Sequence, residues 1–353
     1  RVIYKALCLL RDQPSEPLSP AQARILTSEL MSMDHRGVGL EGDEQNAFNA
    51  ASERLAQLST QFGNHVLDAT QQWTLRLTEP SDVDGLPERA REALAAAARD
   101  AGDEAANAAS GPWLLGLDMP RYLPFLTHAT NRKLRETVYK AHVSRASSGD
   151  LDNRSLIEDI LSLRQEQAQR LGYAHWADVS LASKMATDVP AVEALLEELR
   201  TAAYPAGLRE LADLEACARR HGAEDAAQLA PWDLPFWSEK LRQERFDLDQ
   251  EALRPWFPLP QVLDGLFGLC NRLFKVDIRA ADGEAPIWHD DVRFFRVFGS
   301  DGQPIAAFYL DPFSRPASKR GGAWMDECLG RRRTADGTLV LPVAYLICNQ
   351  TPP

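Results

Sequence analysis

The sequence predicts a mainly α-helical protein, with a large helical body and a small β-sheet near the C-terminal end. From residue 1 to about residue 275, apolar side chains recur at spacings of three and four, which places them on one face of a helix. At about residue 276 this period gives way to short apolar or alternating runs, which are typical of strands. A chain of 353 residues suggests about two domains of ordinary size.

Helix boundaries follow local signals. Ser19 before Pro20 is an N-cap followed by proline at the first helical position, and this helix is expected to reach about Asp34. Gly172 is a typical helix-ending residue, and Pro205 lies inside a long helix that it is expected to kink. The predicted helices span residues 20–34, 42–69, 86–109, 120–128, 131–146, 153–171, 174–183, 188–221, 232–245 and 259–274.

Gly111-Pro112 is the clearest interruption of the helical pattern and marks our domain boundary. Residues 1–110 are expected to form a helical N-terminal region, and residues 111–353 to belong to a second domain. Within the first region, residues 71–78 alternate, which fits either a short strand or an extended link.

The predicted sheet consists of a hairpin and one further strand. Residues 292–298 and 304–310 flank a GSDGQ turn and form the hairpin, and residues 339–348 form the third strand. The segment from Leu341 to Asn349 is so apolar that it needs neighbours on both sides. If no neighbour covers it, its exposed edge is expected to make the chain poorly soluble or oligomeric.

Composition and charge exclude several classes of function. The net charge of -12 argues against a nucleic-acid or anionic-membrane surface, since both need clustered Lys and Arg. The sequence contains no run of about 18 apolar residues, so no transmembrane helix is predicted. The five cysteines are scattered and form no C-x-x-C pair, which favours a reducing compartment and no zinc ribbon. Because the chain starts at Arg1 within a helical pattern, we expect an internal piece of a longer cytosolic protein.

No complete catalytic motif is present in the sequence. None of the seven histidines belongs to an H-E-x-x-H motif, whose spacing places two imidazoles on one helix face at a zinc site. P-loop, G-x-G-x-x-G and G-x-S-x-G motifs are absent as well. His221 lies three residues before Glu224, but a solvated histidine at a helix end explains this pair better than a metal site.

The segment from Phe308 to Asp326 is the densest unusual stretch and has two interpretations. Its basic side chains and the glycine pair at 321–322 suit a site that holds a carboxylate or a closely approaching chain. The structural alternative, which the residues alone favour, is a loop whose Arg315 pairs with a nearby aspartate and whose Trp324 fills the core.

Two further features have structural explanations that outweigh functional ones. His289 follows Trp288 just before the hairpin, where a histidine can orient a substrate or a metal but more often has a structural partner. Residues 231–242 are rich in aromatic side chains, which are more often packing anchors than ligand cages.

Several long segments together resemble a known family. PWDLPFWSEKLRQERFDLDQEALRPWFPLPQVLDGLFGL, WHDDVRFF, FYLDPFSRPASKRGGAWMD and LPVAYLICNQTPP follow one another in this order, after GVGLEGDEQNAFNAASERLAQLSTQFGNHVLDAT near the start. In this serial order they resemble the thimet oligopeptidase family of zinc metallopeptidases, over essentially the whole chain. The resemblance implies a zincin-like peptidase fold, in which residues 111–353 are the first part of the catalytic domain and end before the zinc helix.

The family resemblance also implies an activity. Family members cleave short peptides within a deep channel that excludes folded proteins. Two histidines of an H-E-x-x-H helix and a glutamate of a following helix hold the zinc, and the motif glutamate activates the metal-bound water. In the family, a downstream tyrosine and histidine stabilise the oxyanion. The resemblance therefore implies one zinc per parent protein. Because the zinc-binding motif is absent from this sequence, we expect no catalytic or metal residue in this chain.

What the resemblance carries over to this sequence is a set of substrate-binding candidates. The strand from Leu341 to Asn349 resembles one that lines the cleft, on which a peptide adds by backbone pairing. The candidate substrate-binding residues are Tyr309, Arg320, Gly321, Gly322, Ala344, Tyr345 and His289. The expected parent is a cytoplasmic monomer that binds short peptides, and neither nucleic acid nor a membrane.

Two functional hypotheses remain open. In the first, the chain is a piece of a zinc oligopeptidase and is inactive alone. In the second, it is a non-catalytic helical protein that binds peptides or acts as a scaffold. An H-E-x-x-H motif in the reading frame after Pro353 favours the first, and a stop codon there favours the second.

Overall fold

The structure is a computed structural model that describes residues 1–247, 250–315, 318–319 and 322–350. It is mainly helical, with its larger sheet towards the C-terminal end, which confirms the predicted fold class. The chain divides into two units: residues 1–69 with 144–213, and residues 70–143 with the segment from 214 onwards. The proposed boundary after residue 110 remains a prediction; strands from either side of it pair within the second unit.

Most of the helices begin and end close to the predicted positions. They are α1 Val2–Asp12, α2 Pro20–His35, α3 Gly42–Gln72, α4 Glu88–Asp100, α5 Met119–His128, α6 Arg132–Val143, α7 Arg154–Arg170, α8 Trp176–Leu181, α9 Val189–Arg220, α10 Leu234–Phe246, α11 Gln250–Leu253 and α12 Leu259–Phe274. Short 3-10 turns lie at Pro80–Asp82, Gly149–Leu151 and Arg254–Trp256. Within the described residues, no helix combines the length and the apolar character that crossing a membrane requires.

Among the described residues, the strands form one larger sheet and two strand pairs. They are β1 Thr74–Leu77, β2 Trp113–Gly116, β3 Asp277–Ala280, β4 Arg293–Phe298, β5 Pro304–Phe313, β6 Trp324–Leu329, β7 Arg332–Arg333, β8 Leu339–Val340 and β9 Val343–Gln350. β1 pairs with β2, β7 pairs with β8, and the remaining strands form a five-stranded sheet in the order β3-β4-β5-β9-β6. This sheet is larger than the predicted hairpin and third strand.

The first unit is held together by polar contacts between distant helices. The amide of Asn153, just before α7, donates to the carbonyl of Phe62 at 3.1 Å, and its oxygen lies 2.9 Å from His65 Nδ1. Further along α7, the buried Gln167 donates to Ser52 Oγ at 2.7 Å. Since buried amides must be hydrogen-bonded, these contacts fix α3 against α7.

The second unit contains a dense apolar core around the β1–β2 pair. Trp113 and Leu115 of β2 are fully buried, together with Leu94 of α4, Phe125 of α5 and Val138 of α6. The predicted helix 86–109 is too long, because α4 ends at Asp100 and Gly102 follows with φ +105°. Alanine favours a helix but does not override a left-handed glycine.

In the larger sheet, β9 lies between two neighbours. It pairs in parallel with β5, where Tyr309 is opposite Tyr345, and antiparallel with β6, where Asp326 is opposite the same tyrosine. Poor solubility was predicted only for the case in which no neighbour covers the edge of this strand. Because β9 has a partner on each side, that case does not apply. The outermost strand on this side of the described sheet is β6.

Candidate functional site

An aromatic row crosses one face of the larger sheet. Phe294 of β4, Tyr309 of β5 and Tyr345 of β9 occupy adjacent register positions. The Phe294 and Tyr309 rings lie 4.8 Å apart, and the two tyrosine rings stack at 5.6 Å with 25° between their planes. Offset stacking of this kind adds about 1 kcal/mol per pair beyond area burial. Side chains alternate between the two faces along each strand, and residues opposite each other in register lie on the same face. The three rings therefore form one continuous aromatic surface.

Two tryptophans flank this row and are half-exposed. Trp288 packs 5.2 Å from Tyr309 and 5.7 Å from Tyr345, and Trp324 of β6 lies 6.1 Å from Tyr345. Trp288 is 49% exposed and Trp324 is 51% exposed. The structural alternative in which Trp324 fills the core is therefore wrong, since its ring lies at the open margin of the sheet.

A buried carboxylate anchors the loop that follows β5. Asp311 is 1% exposed and accepts two hydrogen bonds from the Arg315 guanidinium, at 2.9 and 2.6 Å. Trp288 Nε1 donates to the same carboxylate at 3.1 Å. The prediction that Arg315 pairs with a nearby aspartate is confirmed, and the carboxylate it holds belongs to the chain itself.

Lys319 completes this arrangement, which we call the Asp311 clasp: Asp311, Arg315, Lys319 and Trp288. Its Nζ lies 3.1 Å from Asp311 Oδ1 and donates to the carbonyl oxygens of Phe313 at 2.8 Å and Cys348 at 2.5 Å. Because Phe313 ends β5 and Cys348 lies near the end of β9, one ammonium group joins the carboxyl ends of two parallel strands. Sequence reasoning missed this role, since only the fold brings residue 348 to residue 319.

The clasp sets the ionisation of its carboxylate. Burial by itself would raise the pKa of Asp311, but hydrogen bonds from Arg315, Trp288 and Lys319 outweigh it, and the pKa lies below its usual value. Two residues earlier on the same strand, burial raises the pKa of Tyr309. The face therefore carries a fixed negative charge that its own cations neutralise, beside neutral phenols.

The structure brings together only some of the predicted substrate-binding residues. Tyr309 and Tyr345 stack, whereas Ala344 is opposite Phe308 in register and so occupies the other face of the sheet, against which Phe267 of α12 packs. His289 accepts a hydrogen bond from the Asp291 amide at 3.2 Å and lies 3.4 Å from its carboxylate.

The remaining candidates lie in the loop before β6. The backbone carbonyl of Gly322 accepts a hydrogen bond from the Asn349 side chain. Arg320 and Gly321 lie outside the described residues. A substrate role for each of the seven candidates remains a prediction.

The expectation that a peptide pairs with the backbone of β9 is wrong for this strand. From Val343 to Ile347 its register is occupied by β5 on one side and by β6 on the other. In the described sheet, the outer edge on this side belongs to β6, where Met325 is 77% exposed. An extended chain can add only where backbone donors and acceptors lack a strand partner.

The described residues do not match the zinc set that the family resemblance implies. The sequence has no H-E-x-x-H motif. Among the described residues, the group of three or more side chains close enough to share a metal is Cys217, His221 and Glu244. This group lies on α9, its C-terminal end and α10, and it offers one imidazole rather than two. His221 is paired with Glu244 at 2.7 Å rather than with Glu224.

The aromatic segment 231–242 is confirmed as a packing element. Phe236 and Trp237 are buried, and their rings meet edge to face at 5.0 Å. At its start, the fully buried Asp233 accepts hydrogen bonds from Arg132 at 2.8 Å and from Arg135 at 2.9 Å. Burial opposes ionisation of Asp233, but these donors and the Ala230 amide outweigh it and lower its pKa.

Comparison with known proteins identifies the class of this mainly helical chain with its mixed C-terminal sheet. The sequence model of peptidase family M3 matches residues 125–353. The chain belongs to peptidase family M3, which confirms the resemblance to the thimet oligopeptidase family.

Individual relatives match nearly all of this chain. Organellar oligopeptidase A, chloroplastic/mitochondrial, of Arabidopsis thaliana is 47% identical over 99% of this chain and 45% of its own length. Probable cytosolic oligopeptidase A of the same plant is 46% identical over 99% of this chain and 50% of its own length. Oligopeptidase A of Escherichia coli (strain K12) is 40% identical over 98% of this chain and 50% of its own length. The chain spans about half the length of the curated relatives it matches.

Proposed function

We propose that this chain is part of a zinc-dependent oligopeptidase that hydrolyses short peptides with a metal-activated water. The observation that carries the proposal is the family match over residues 125–353, together with relatives named oligopeptidase A that align with almost the entire chain. The parent protein is a cytoplasmic monomer that binds short peptides, and neither nucleic acid nor a membrane.

The chain's own contribution is to hold an extended peptide. The outer edge of β6 supplies backbone donors and acceptors for a further strand, and Trp324 on this strand is half-exposed. The aromatic row lies beside it, with Tyr345 packed 6.1 Å from Trp324. The Asp311 clasp fixes the ends of β5 and β9, so that this edge keeps its geometry while a peptide exchanges.

When bound, zinc supplies a nucleophilic water and polarises the scissile carbonyl. The described residues do not supply two histidines and one glutamate for it, so no step of hydrolysis is assigned to them. On this account the isolated chain is inactive, and its part in the reaction is to bind and orient the peptide.

A chimera tests this proposal. The chain is joined to the half of Escherichia coli oligopeptidase A that it does not match and assayed with a quenched fluorescent peptide. Cleavage that a chelator abolishes and zinc restores supports the proposal. A soluble, folded chimera that binds the peptide without cleaving it favours the peptide-binding or scaffold alternative instead. Sequencing the reading frame after Pro353 distinguishes the same two hypotheses.

A further inference from the structure

A cluster of three potential metal ligands lies at the C-terminal end of α9, outside the aromatic row and the Asp311 clasp. Cys217 and His221 are four residues apart on α9 and its C-terminal extension, which places both side chains on one face. Glu244 comes from α10, and its Oε1 lies 2.7 Å from His221 Nε2. The ligand atoms of all three side chains lie within 4.8 Å of one another.

We propose that Cys217, His221 and Glu244 form a second metal site, which binds Zn²⁺ or a similar borderline-soft divalent ion. A thiolate, an imidazole and a carboxylate are each established zinc ligands, and three of them leave a fourth tetrahedral position for water. This site is independent of the proposed hydrolysis and uses no residue assigned to it.

The geometry needs only side-chain adjustment. Zinc–ligand bonds of about 2.0–2.3 Å place tetrahedral ligand atoms about 3.5 Å apart. Contact with a metal would lengthen the His221–Glu244 separation of 2.7 Å and shorten the longest separation in the group, which is at most 4.8 Å. Both changes are about 1 Å, which rotamer shifts of exposed side chains such as His221 and Glu244 can absorb.

The surroundings orient the ligands. Arg220 lies 2.5 Å from Glu244 Oε2, which leaves Oε1 to face the histidine. The His221 ring packs 5.8 Å from the ring of Trp237, which fixes its plane. Hydrogen-bonded partners of metal ligands, such as Arg220 here, orient the ligands and raise affinity about 10- to 100-fold.

Two further conditions for metal binding are an approach for the ion and a route for the thiol proton that the ion displaces. His221 is exposed and lines a cavity of about 370 Å³, whose other walls include Arg132, Asp225 and Phe236, so an ion can approach its imidazole from solvent. Cys217 is fully buried in the packing cluster with Phe236 and Trp237. Burial, and after it the Glu244 carboxylate, raise the pKa of the Cys217 thiol. The thiol is therefore protonated before the metal binds, and binding releases its proton to solvent.

Titration of the 353-residue chain with Co²⁺ in the absence of oxygen tests the site. We expect the thiolate-to-cobalt charge-transfer absorption of the near ultraviolet, saturating at one equivalent, and its reversal by Zn²⁺. Cys217→Ser should abolish this band. Glu244→Gln, at an exposed position, should weaken binding at least about tenfold.

Substitutions of a cysteine and a histidine outside the proposed site are the matched controls. Cys270→Ser, at a half-buried cysteine of α12, and His175→Gln, at an exposed histidine, should leave the band and its midpoint unchanged. Circular dichroism verifies that each variant is folded. Absence of the band at saturating Co²⁺ in the unmodified chain, or its persistence in Cys217→Ser, would overturn the proposal. Neither outcome depends on peptide cleavage, so the site and the proposed function are tested separately.

Discussion

The ammonium nitrogen of Lys319 lies 3.1 Å from the carboxylate of Asp311, and the same nitrogen donates to the carbonyl of Cys348. The two charged side chains are 9% and 2% exposed, so this ion pair is buried. Breaking a buried pair by neutralising one partner leaves an uncompensated charge, which costs more than the pair itself contributes. The clasp is therefore the part of the larger sheet most sensitive to a conservative change.

Asp311→Asn should destabilise the chain by about 3 kcal/mol, because Arg315 and Lys319 then share a buried site without a negative charge. The measurement is urea unfolding, with the midpoint compared at constant slope. Asp291→Asn is the matched control, since Asp291 faces the same Arg315 at 3.8 Å but is 40% exposed. Its effect should stay within about 0.5 kcal/mol. Equal effects of the two changes would show that burial of the pair is not decisive.

The clasp also predicts a dependence of stability on pH. The pKa of Asp311 is lowered in the folded chain, so its stabilising contribution is complete above the unfolded-state pKa of about 4. That contribution is lost as the pH falls through the lower folded-state pKa. The free energy of unfolding should thus decrease on acidification below about pH 4, and less steeply in Asp311→Asn. Parallel pH profiles for the two proteins would contradict this assignment.

Gly85 should tolerate no side chain. Its φ is +85°, and a Cβ added there would lie 2.3 Å from the backbone oxygen of His128. Gly283 has a similar φ of +90°, but a Cβ there meets no heavy atom within 4 Å. Gly283→Ala should therefore cost about 1 kcal/mol of backbone strain, and Gly85→Ala at least about 1 kcal/mol more from the clash. Thermal unfolding of the two variants measures the difference, and equal transition temperatures would refute the close approach.

Tyr345 provides a test of the peptide-binding face within the chimera. Tyr345→Leu removes the ring that packs between Tyr309 and Trp324, and should lower kcat/KM about tenfold, mainly through KM. Ala344→Ser changes the neighbouring residue on the opposite face of the sheet and should leave kcat/KM within about twofold. If both substitutions have the same effect, the aromatic row does not contact the peptide.

Local signals in the sequence account for much of the fold. The helix predicted at residues 259–274 is observed as Leu259–Phe274, and the Ser19 cap is a full capping box with Gln22. The strands β2, β3, β6 and β7 lie outside the predicted ones, because short runs without a flanking hairpin turn carry too weak a period to detect. Whether a short apolar run becomes a strand depends on the partner that the fold brings to it.

The candidate site was less predictable than the fold. Tyr309 and Tyr345 were expected at the site, but their stacking depends on parallel pairing between segments about 36 residues apart. Conversely, the spacing of Cys217 and His221 is visible in the sequence as C-x-x-x-H, but two ligands at this spacing do not indicate a metal site without a third. Glu244 joins that pair only through the packing of α10 against the end of α9.

We propose that the chain contributes the peptide-binding part of a zinc oligopeptidase, with a metal centre built from residues other than those described. An assay of the 353-residue chain alone with a quenched fluorescent peptide, with and without added zinc, tests this proposal. We predict no zinc-dependent cleavage by the isolated chain, under conditions in which the chimera cleaves the peptide. Zinc-dependent cleavage by the isolated chain, abolished by a chelator, would contradict the account.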